Sequence, residues 1–186
     1  MKKTLIVTAS LAFALAVAPA PAAAQAADAA PEDAIHDAKS AMAFLKSLDG
    51  DWVNANRSTE HGTSSPVASF RVIAGGSAVV ETTGAGTPNE MTTVFHMDGE
   101  QLLQTHYCAL QNAPVLRFEP SDVPGELKFV FHGGTNFDPE VDAHFHDGSI
   151  RIRDKNTVET SYVVHANGEP STDGRSLLER ATPATN

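Results

Sequence analysis

A period-two alternation of apolar and polar residues is the feature that most constrains the fold of this 186-residue chain. From Trp52 onward, runs rich in β-branched and aromatic residues are separated by glycine, aspartate and asparagine turns at intervals of about 8 to 13 residues. No long helical pattern separates the runs, which disfavours a parallel α/β sheet. Ten runs are predicted as strands: 52–57, 67–73, 78–83, 90–97, 102–110, 115–119, 127–132, 144–153, 158–165 and 175–181.

One helix is predicted ahead of the strands. Pro31 and the two acidic residues after it suit a first helical turn, and Gly50 suits the end. Five apolar residues spaced three or four apart form one stripe: Ile35, Ala38, Met42, Leu45 and Leu48. We therefore predict a mainly β fold, an antiparallel up-and-down β-barrel of about 8–10 strands with an N-terminal helix.

The first 26 residues have the features of a secretory signal peptide. Lys2 and Lys3 precede a mostly apolar run at 5–18, and Ala22 and Ala24 occupy the small positions of an A-x-A cleavage site. We predict a signal peptide at 1–26, a flexible mature N-terminus at 27–32 and one barrel domain with its helix at 33–183. The protein is accordingly expected to cross the inner membrane and to reside in a bacterial periplasm.

The charge of the mature chain bears on its partners. Without the first 26 residues, 11 basic and 23 acidic residues remain, a net charge of −12. So acidic a surface repels phosphate backbones, and we predict no nucleic-acid partner. No apolar run after the leader approaches the roughly 20 residues of a membrane-spanning helix, so no transmembrane span is predicted in the mature protein. Cys108 is the single cysteine, which leaves no internal disulfide.

The segment 91–108 predicts a hairpin that carries the first candidate polar site. A two-residue turn at Asp98-Gly99 would place Phe95 opposite Leu102. His106 and Cys108 would then share the inward, more apolar face. The pair could ligate a soft metal or a haem iron, or hydrogen-bond a ligand. The alternative is a packed histidine with an inert thiol.

A second candidate site is the H-x-H pair formed by His144 and His146. In a strand both imidazoles would lie on one face, a spacing found in zinc and iron sites on β scaffolds. Together with His106 and Cys108 they would make a four-ligand metal set if the strand order brings the segments together. The alternative is a polar rim or loop.

Established catalytic motifs are missing from the sequence. There is no G-x-S-x-G nucleophile elbow, no G-x-G-x-x-G and no P-loop, so no catalytic residue is predicted. Carboxylates such as Glu81 and Glu90 could serve as an acid–base pair, although carboxylates on strands are more often exposed.

Gly50-Asp51-Trp52 at the first strand resembles the G-x-W signature of lipocalins and related calycin barrels. In that family the tryptophan closes one barrel end and an arginine near the last strand packs on it, a role that the resemblance gives to Trp52 and Arg180. The chain is also similar to a family of exported bacterial lipocalin-like proteins. The motifs that carry this similarity are GGSAVVE at 75–81, GTPNEM at 86–91, HMDG at 96–99, THYC at 105–108 and GGTN at 133–136.

The sequence therefore predicts an exported small-molecule-binding β-barrel that carries or sequesters an apolar or aromatic ligand. This function requires no cofactor. Two alternatives stay open: a metal- or haem-binding barrel that uses the His and Cys residues, and a cofactor-free isomerase or hydrolase. The expected ligand-binding residues are Phe95, Leu102, His106, Cys108, Phe129, Phe131 and Tyr162.

Overall fold

The computed structural model describes residues 35–55 and 67–182. Within these ranges the chain forms one α-helix followed by ten β-strands, with a short 3₁₀ turn at Ala74–Gly76. The elements are α1 (Ala38–Ser47), β1 (Gly50–Asn54), β2 (Ala68–Ile73), β3 (Ala78–Thr83), β4 (Met91–Asp98), β5 (Gln101–Tyr107), β6 (Ala113–Glu119), β7 (Glu126–Thr135), β8 (His144–Asp154), β9 (Thr157–Ala166) and β10 (Glu169–Arg180).

Some sequence-based predictions fall outside these ranges. The predicted signal peptide and flexible mature terminus at 1–32 lie outside the described residues, as do positions 56–57 of the first predicted strand. Among the described helical residues, no helix has the length and apolar character to cross a membrane.

The strands form a closed antiparallel barrel in which each strand pairs with its neighbours in sequence. The circle closes where β1 pairs with β10, with Trp52 opposite Arg180. The predicted mainly β barrel is thus confirmed. Closure leaves no free sheet edge, and the inward side chains of alternate positions meet in one interior.

The helix begins later than the sequence pattern indicated. Ile35 is not helical, and α1 begins at Ala38 because Asp37 forms a capping box with Ser40. The Asp37 carboxylate accepts a hydrogen bond from the Ser40 amide at 2.7 Å, and the Ser40 hydroxyl accepts one from the Asp37 amide at 3.1 Å. This arrangement satisfies amide groups that have no partner within the helix and sets its first turn.

The β4–β5 hairpin differs by one residue from the prediction. Asp98 pairs with Gln101, so the turn is Gly99-Glu100 and Phe95 lies opposite Gln104, not Leu102. Gly99 has a φ of 59°, which suits the first central position of a type II′ turn. Moving the turn by one residue shifts the partner of each β4 residue by two positions along β5. Because side chains alternate with a period of two, His106 keeps its predicted inward orientation.

The hydrophobic core extends from the helix into the barrel. Helix α1 packs against β2, β4 and β5, and its buried face joins the core residues of those strands. The core is formed by Ala41, Met42, Leu45, Leu48, Trp52, Ala68, Phe70, Val79, Phe95, Leu102, Leu116, Phe118, Leu127, Phe129, Ile150, Val158 and Leu178. Burial of each large apolar side chain contributes about 1.5–3 kcal/mol. Three of these core residues, Phe95, Phe129 and Ile150, also line the cavity described next.

Candidate ligand site

A cavity of about 240 Å³ lies among the barrel strands. Phe95 and Phe129 belong both to its wall and to the hydrophobic core. Its wall combines three phenylalanines with hydroxyl, amide, imidazole and carboxyl groups. The lining residues are Glu81, Thr83, Met91, Thr93, Phe95, Gln104, His106, Phe129, Phe145, Gly148, Ser149, Ile150, Thr160, Ser161, Tyr162 and Ser176. Aromatic rings that can contact an apolar body, beside polar groups that can orient it, are features of small-molecule sites.

A row of three polar residues crosses adjacent strands on this wall. Glu81 of β3 is the direct cross-strand partner of Thr93 in β4, and Thr93 is the partner of His106 in β5. The Thr93 Oγ1 and His106 Nδ1 atoms are 2.9 Å apart. Thr93 and His106 are both buried and Glu81 is half-buried, so most of this row is withdrawn from solvent and held by the barrel register.

Burial drives both ionisable groups of this row toward their neutral forms. Desolvation raises the pKa of Glu81 to about 7, and a hydrogen bond from Thr93 to the carboxylate opposes that rise. Desolvation lowers the pKa of His106 to about 4. Near neutral pH the imidazole is therefore uncharged, whereas Glu81 divides between its acid and its carboxylate.

The hydrogen-bond direction in the row depends on Glu81. When Glu81 is a carboxylate, the Thr93 hydroxyl donates to it and can accept the His106 Nδ1–H. The Nε2 atom of His106 then carries the free lone pair. When Glu81 is protonated, its carboxyl group can donate to Thr93, which can in turn donate to Nδ1. The row can thus present either an acceptor or a donor at His106 Nε2.

Aromatic rings pack around this polar row. The Phe145 ring lies 4.9 Å from the His106 ring at 32°, and 6.2 Å from the Tyr162 ring at 29°. Two glycines make room for these rings. A Cβ on Gly148 would lie 2.8 Å from Phe145, and one on Gly174 would lie 2.5 Å from Tyr162. Glycines at these strand positions therefore shape the cavity wall.

Four of the seven expected ligand residues line the cavity: Phe95, His106, Phe129 and Tyr162. The other three have different surroundings. Leu102 is fully buried in the hydrophobic core. Phe131 packs against Phe137, His144 and His146. Cys108 is a half-buried thiol in the turn after β5.

The expected metal ligands do not come together as one set, since Cys108 lies in the turn after β5. His106 lies in the cavity row, whereas His144 and His146 contact each other, with Nε2 of the first 3.0 Å from Nδ1 of the second. A register shift between Phe145 and Asp147 in the β8–β9 pair marks a bulge at His146. In the described residues, the one cluster of donor atoms with metal-ligand spacing contains His146, Asp147 and His165, without His106 or Cys108.

Several cavity residues were not predicted as site residues, including Thr93, Gln104 and Phe145. Glu81 was considered only as a partner of Glu90, but Glu90 is exposed and its carboxylate accepts a hydrogen bond from the Gly86 amide at 2.6 Å. Alternation would have placed Glu81 on the face of buried Val79 and Thr93 on the face of Phe95.

Neither the protein-family models nor the curated proteins include a match to this chain.

Proposed function

We propose that this barrel binds a compact apolar or aromatic molecule that carries one hydrogen-bonding group. The observation that supports the proposal most strongly is the cavity that Phe95, Phe129 and Phe145 line together with the Glu81–Thr93–His106 row. The rings would contact the apolar body of the ligand. The polar row would bind its hydroxyl, amide or carbonyl group, since a buried polar group that stays unpaired costs about 1–3 kcal/mol.

The size and charge of the cavity restrict the ligand class. Its volume of about 240 Å³ is below the 300–1,000 Å³ that is typical of pockets for drug-sized ligands. One or two rings suit this space better than a sterol or a retinoid. No Lys or Arg lines the cavity within residues 35–55 and 67–182, so an anionic ligand would lack a counter-charge. A neutral ligand is the better match.

Export and a lipocalin-type relationship belong to the same proposal. The Lys2-Lys3 start, the apolar run and the A-x-A site support export. A helix before a closed barrel and a tryptophan–arginine contact at the barrel closure support the relationship. We propose that the protein carries or sequesters its ligand in the periplasm.

Matched phenylalanine substitutions test the site. Thr160 lines the cavity from β9, whereas Thr172 is exposed on β10. We propose titrating the purified protein with neutral phenols, indoles and aryl ketones by calorimetry. Thr160→Phe should weaken any binding at least about tenfold by filling the space, and Thr172→Phe should leave it unchanged. Equal binding by the two variants would place the ligand outside the cavity.

A second candidate function is proton transfer on a small substrate. The favouring observation is Glu81, whose pKa of about 7 suits a general acid or base near neutral pH. His106, neutral and hydrogen-bonded to Thr93, would orient the substrate from the neighbouring strand. A cofactor-free isomerisation or hydrolysis fits these groups.

Solvent exchange on a carbon acid tests this candidate. Small aryl ketones with an acidic α-hydrogen would be incubated with the protein in D₂O, and deuterium incorporation would be followed by NMR. Catalysed exchange should fall by at least about a hundredfold in Glu81→Gln, because a positioned general base contributes about 10²–10⁴-fold. Binding of the ketone without catalysed deuterium exchange would contradict proton transfer and support the carrier function.

A further inference from the structure

Three potential metal ligands meet outside the cavity lining. His146, Asp147 and His165 each offer one ligand atom, and these atoms all lie within 4.8 Å of one another. Asp147 and His146 are adjacent on β8, and His165 lies on β9, where it pairs with His144. All three side chains are half-buried, so an ion could reach them from solvent.

A chain of hydrogen bonds determines which ring nitrogen of His146 can coordinate a metal ion. The Asp142 carbonyl is 2.9 Å from His144 Nδ1, which must therefore carry a proton and donate it. In a neutral His144 the Nε2 atom is then a hydrogen-bond acceptor. The Nδ1 atom of His146, 3.0 Å away, is therefore the hydrogen-bond donor. The lone pair of His146 consequently sits on Nε2. A histidine oriented in this way by a second partner is the usual arrangement of a metal-ligating imidazole.

Packing holds this hydrogen-bonded histidine pair in place. His144 is fully buried. Its ring lies 4.7 Å from the Phe137 ring and 5.0 Å from the Phe131 ring, and Phe131 also stacks on His146 at 4.8 Å. Pre-organised imidazoles of this kind lose little conformational entropy when an ion binds.

Asp147 adds a negative charge to the two imidazoles. Among the described residues it forms no ion pair with Lys or Arg, so its carboxylate is available to an ion. Two imidazoles and one carboxylate are a donor set that suits divalent first-row transition metals better than calcium or magnesium.

One adjustment is required for coordination. The rings of His146 and His165 are stacked 3.6 Å apart at 6°, and one ion cannot lie in both of two parallel ring planes. Among the described residues, none forms a hydrogen bond with the His165 side chain, so its ring can turn while His146 stays fixed. To reach metal–ligand distances of about 2.0–2.2 Å, the ligand atoms must move closer to one another by roughly 1 Å.

We propose that His146, Asp147 and His165 bind one divalent transition-metal ion, with His144 as the residue that orients His146. This site is independent of the ligand cavity, since none of the three ligands lines it. It also differs from the four-residue set predicted from sequence, of which only His146 is a ligand here. The β8 bulge and the β8–β9 pairing bring His146, Asp147 and His165 together without His106 or Cys108.

Zinc titration of the tag-free, chelator-treated protein tests the proposal. Calorimetry should show one saturable Zn²⁺ per chain. His165→Ala and Asp147→Asn should each weaken the affinity at least about tenfold, and His144→Gln should weaken it about ten- to a hundredfold as an orienting partner. The matched control is His132→Ala, which removes an exposed histidine from β7 and should change nothing. Loss of affinity in His132→Ala equal to that in His165→Ala would overturn the proposal.

A second measurement needs no variant. In the wild-type protein, one equivalent of Zn²⁺ should shift the imidazole NMR signals of His146 and His165 and leave those of His36 and His132 in place. Shifts spread evenly over all histidines, or the absence of a saturable site, would contradict the proposed metal site.

Discussion

The guanidinium carbon of Arg180 lies 4.6 Å from the ring centroid of Trp52, its direct partner across the β1–β10 pair. The two terminal guanidinium nitrogens of Arg180, Nη1 and Nη2, donate to the backbone carbonyls of Asp49 and Ser47, at 2.8 and 2.9 Å. Ser47 is the last residue of α1, so one side chain joins the helix end, the buried indole and the strand pair that closes the barrel. A cation near helix-terminal carbonyls adds a favourable electrostatic interaction.

Removing this side chain should destabilise the barrel. We expect Arg180→Ala to lower the free energy of unfolding by about 1–3 kcal/mol, because it removes the cation–π contact, the packing and two hydrogen bonds. Urea unfolding followed by tryptophan emission measures the loss. Arg175→Ala is the control, since the Arg175 side chain is 75% exposed and should cost less than about 0.5 kcal/mol. Equal stability of the two variants would contradict the role of Arg180 in closing the barrel.

The pH dependence of stability should separate Glu81 from His106. Because folding raises the pKa of Glu81 from 4.5 to about 7, its contribution to stability is greatest at low pH and is lost as pH rises through this window. Folding lowers the pKa of His106 from 6.5 to about 4, so its contribution is lost as pH falls from 6.5 to 4. Each effect amounts to about 3 kcal/mol, and the two oppose each other in the wild type.

Single substitutions should therefore reveal how each group makes the free energy of unfolding depend on pH. In Glu81→Gln the free energy of unfolding should fall as pH decreases from 6.5 to 4, relative to wild type. In His106→Gln it should fall as pH increases from 4.5 to 7. Urea titrations at half-unit pH steps give both profiles. Profiles that run parallel to the wild type in both variants would show that neither group is desolvated in the cavity.

Gly174 should be intolerant of a methyl group because Tyr162 lies over it. A Cβ there would lie 2.5–2.6 Å from the Tyr162 ring atoms, so Gly174→Ala should cost about 1–3 kcal/mol and displace the ring. In a Tyr162→Ala background the same substitution should cost less than about 0.5 kcal/mol, since the clash is gone. A double-mutant cycle by thermal unfolding measures the coupling, and an absence of coupling would contradict the packing of Tyr162 over Gly174.

The barrel was predictable from sequence because strand alternation and turn residues are local signals. The 78–83 run, for example, matches β3 (Ala78–Thr83) in full. The start of α1 was missed because the capping box of Asp37 and Ser40 outweighed the apolar periodicity that reaches Ile35. The hairpin turn was misplaced by one residue because Asp98-Gly99 and Gly99-Glu100 both offer a glycine to a two-residue turn.

The site was predictable only in part, since it depends on pairings between distant strands. His106 and Phe129 were expected to face inward from alternation alone, and both line the cavity. Glu81 joins them only because β3 pairs with β4 in the register that sets Glu81 opposite Thr93. Likewise, the bulge at His146 brings it to His165, a contact that the H-x-H spacing does not encode.

The most direct test of the central claim is a crystal of the protein soaked with 4-bromophenol, a compact aromatic molecule with one hydrogen-bonding group. Anomalous scattering from bromine locates the molecule without ambiguity. We predict a bromine peak inside the barrel beside Phe95 and Phe129, with the phenol oxygen within hydrogen-bond distance of Glu81 or His106. Bromine peaks confined to the outer surface, with the cavity closed by its own side chains, would contradict the proposal that this barrel binds a small molecule in its interior.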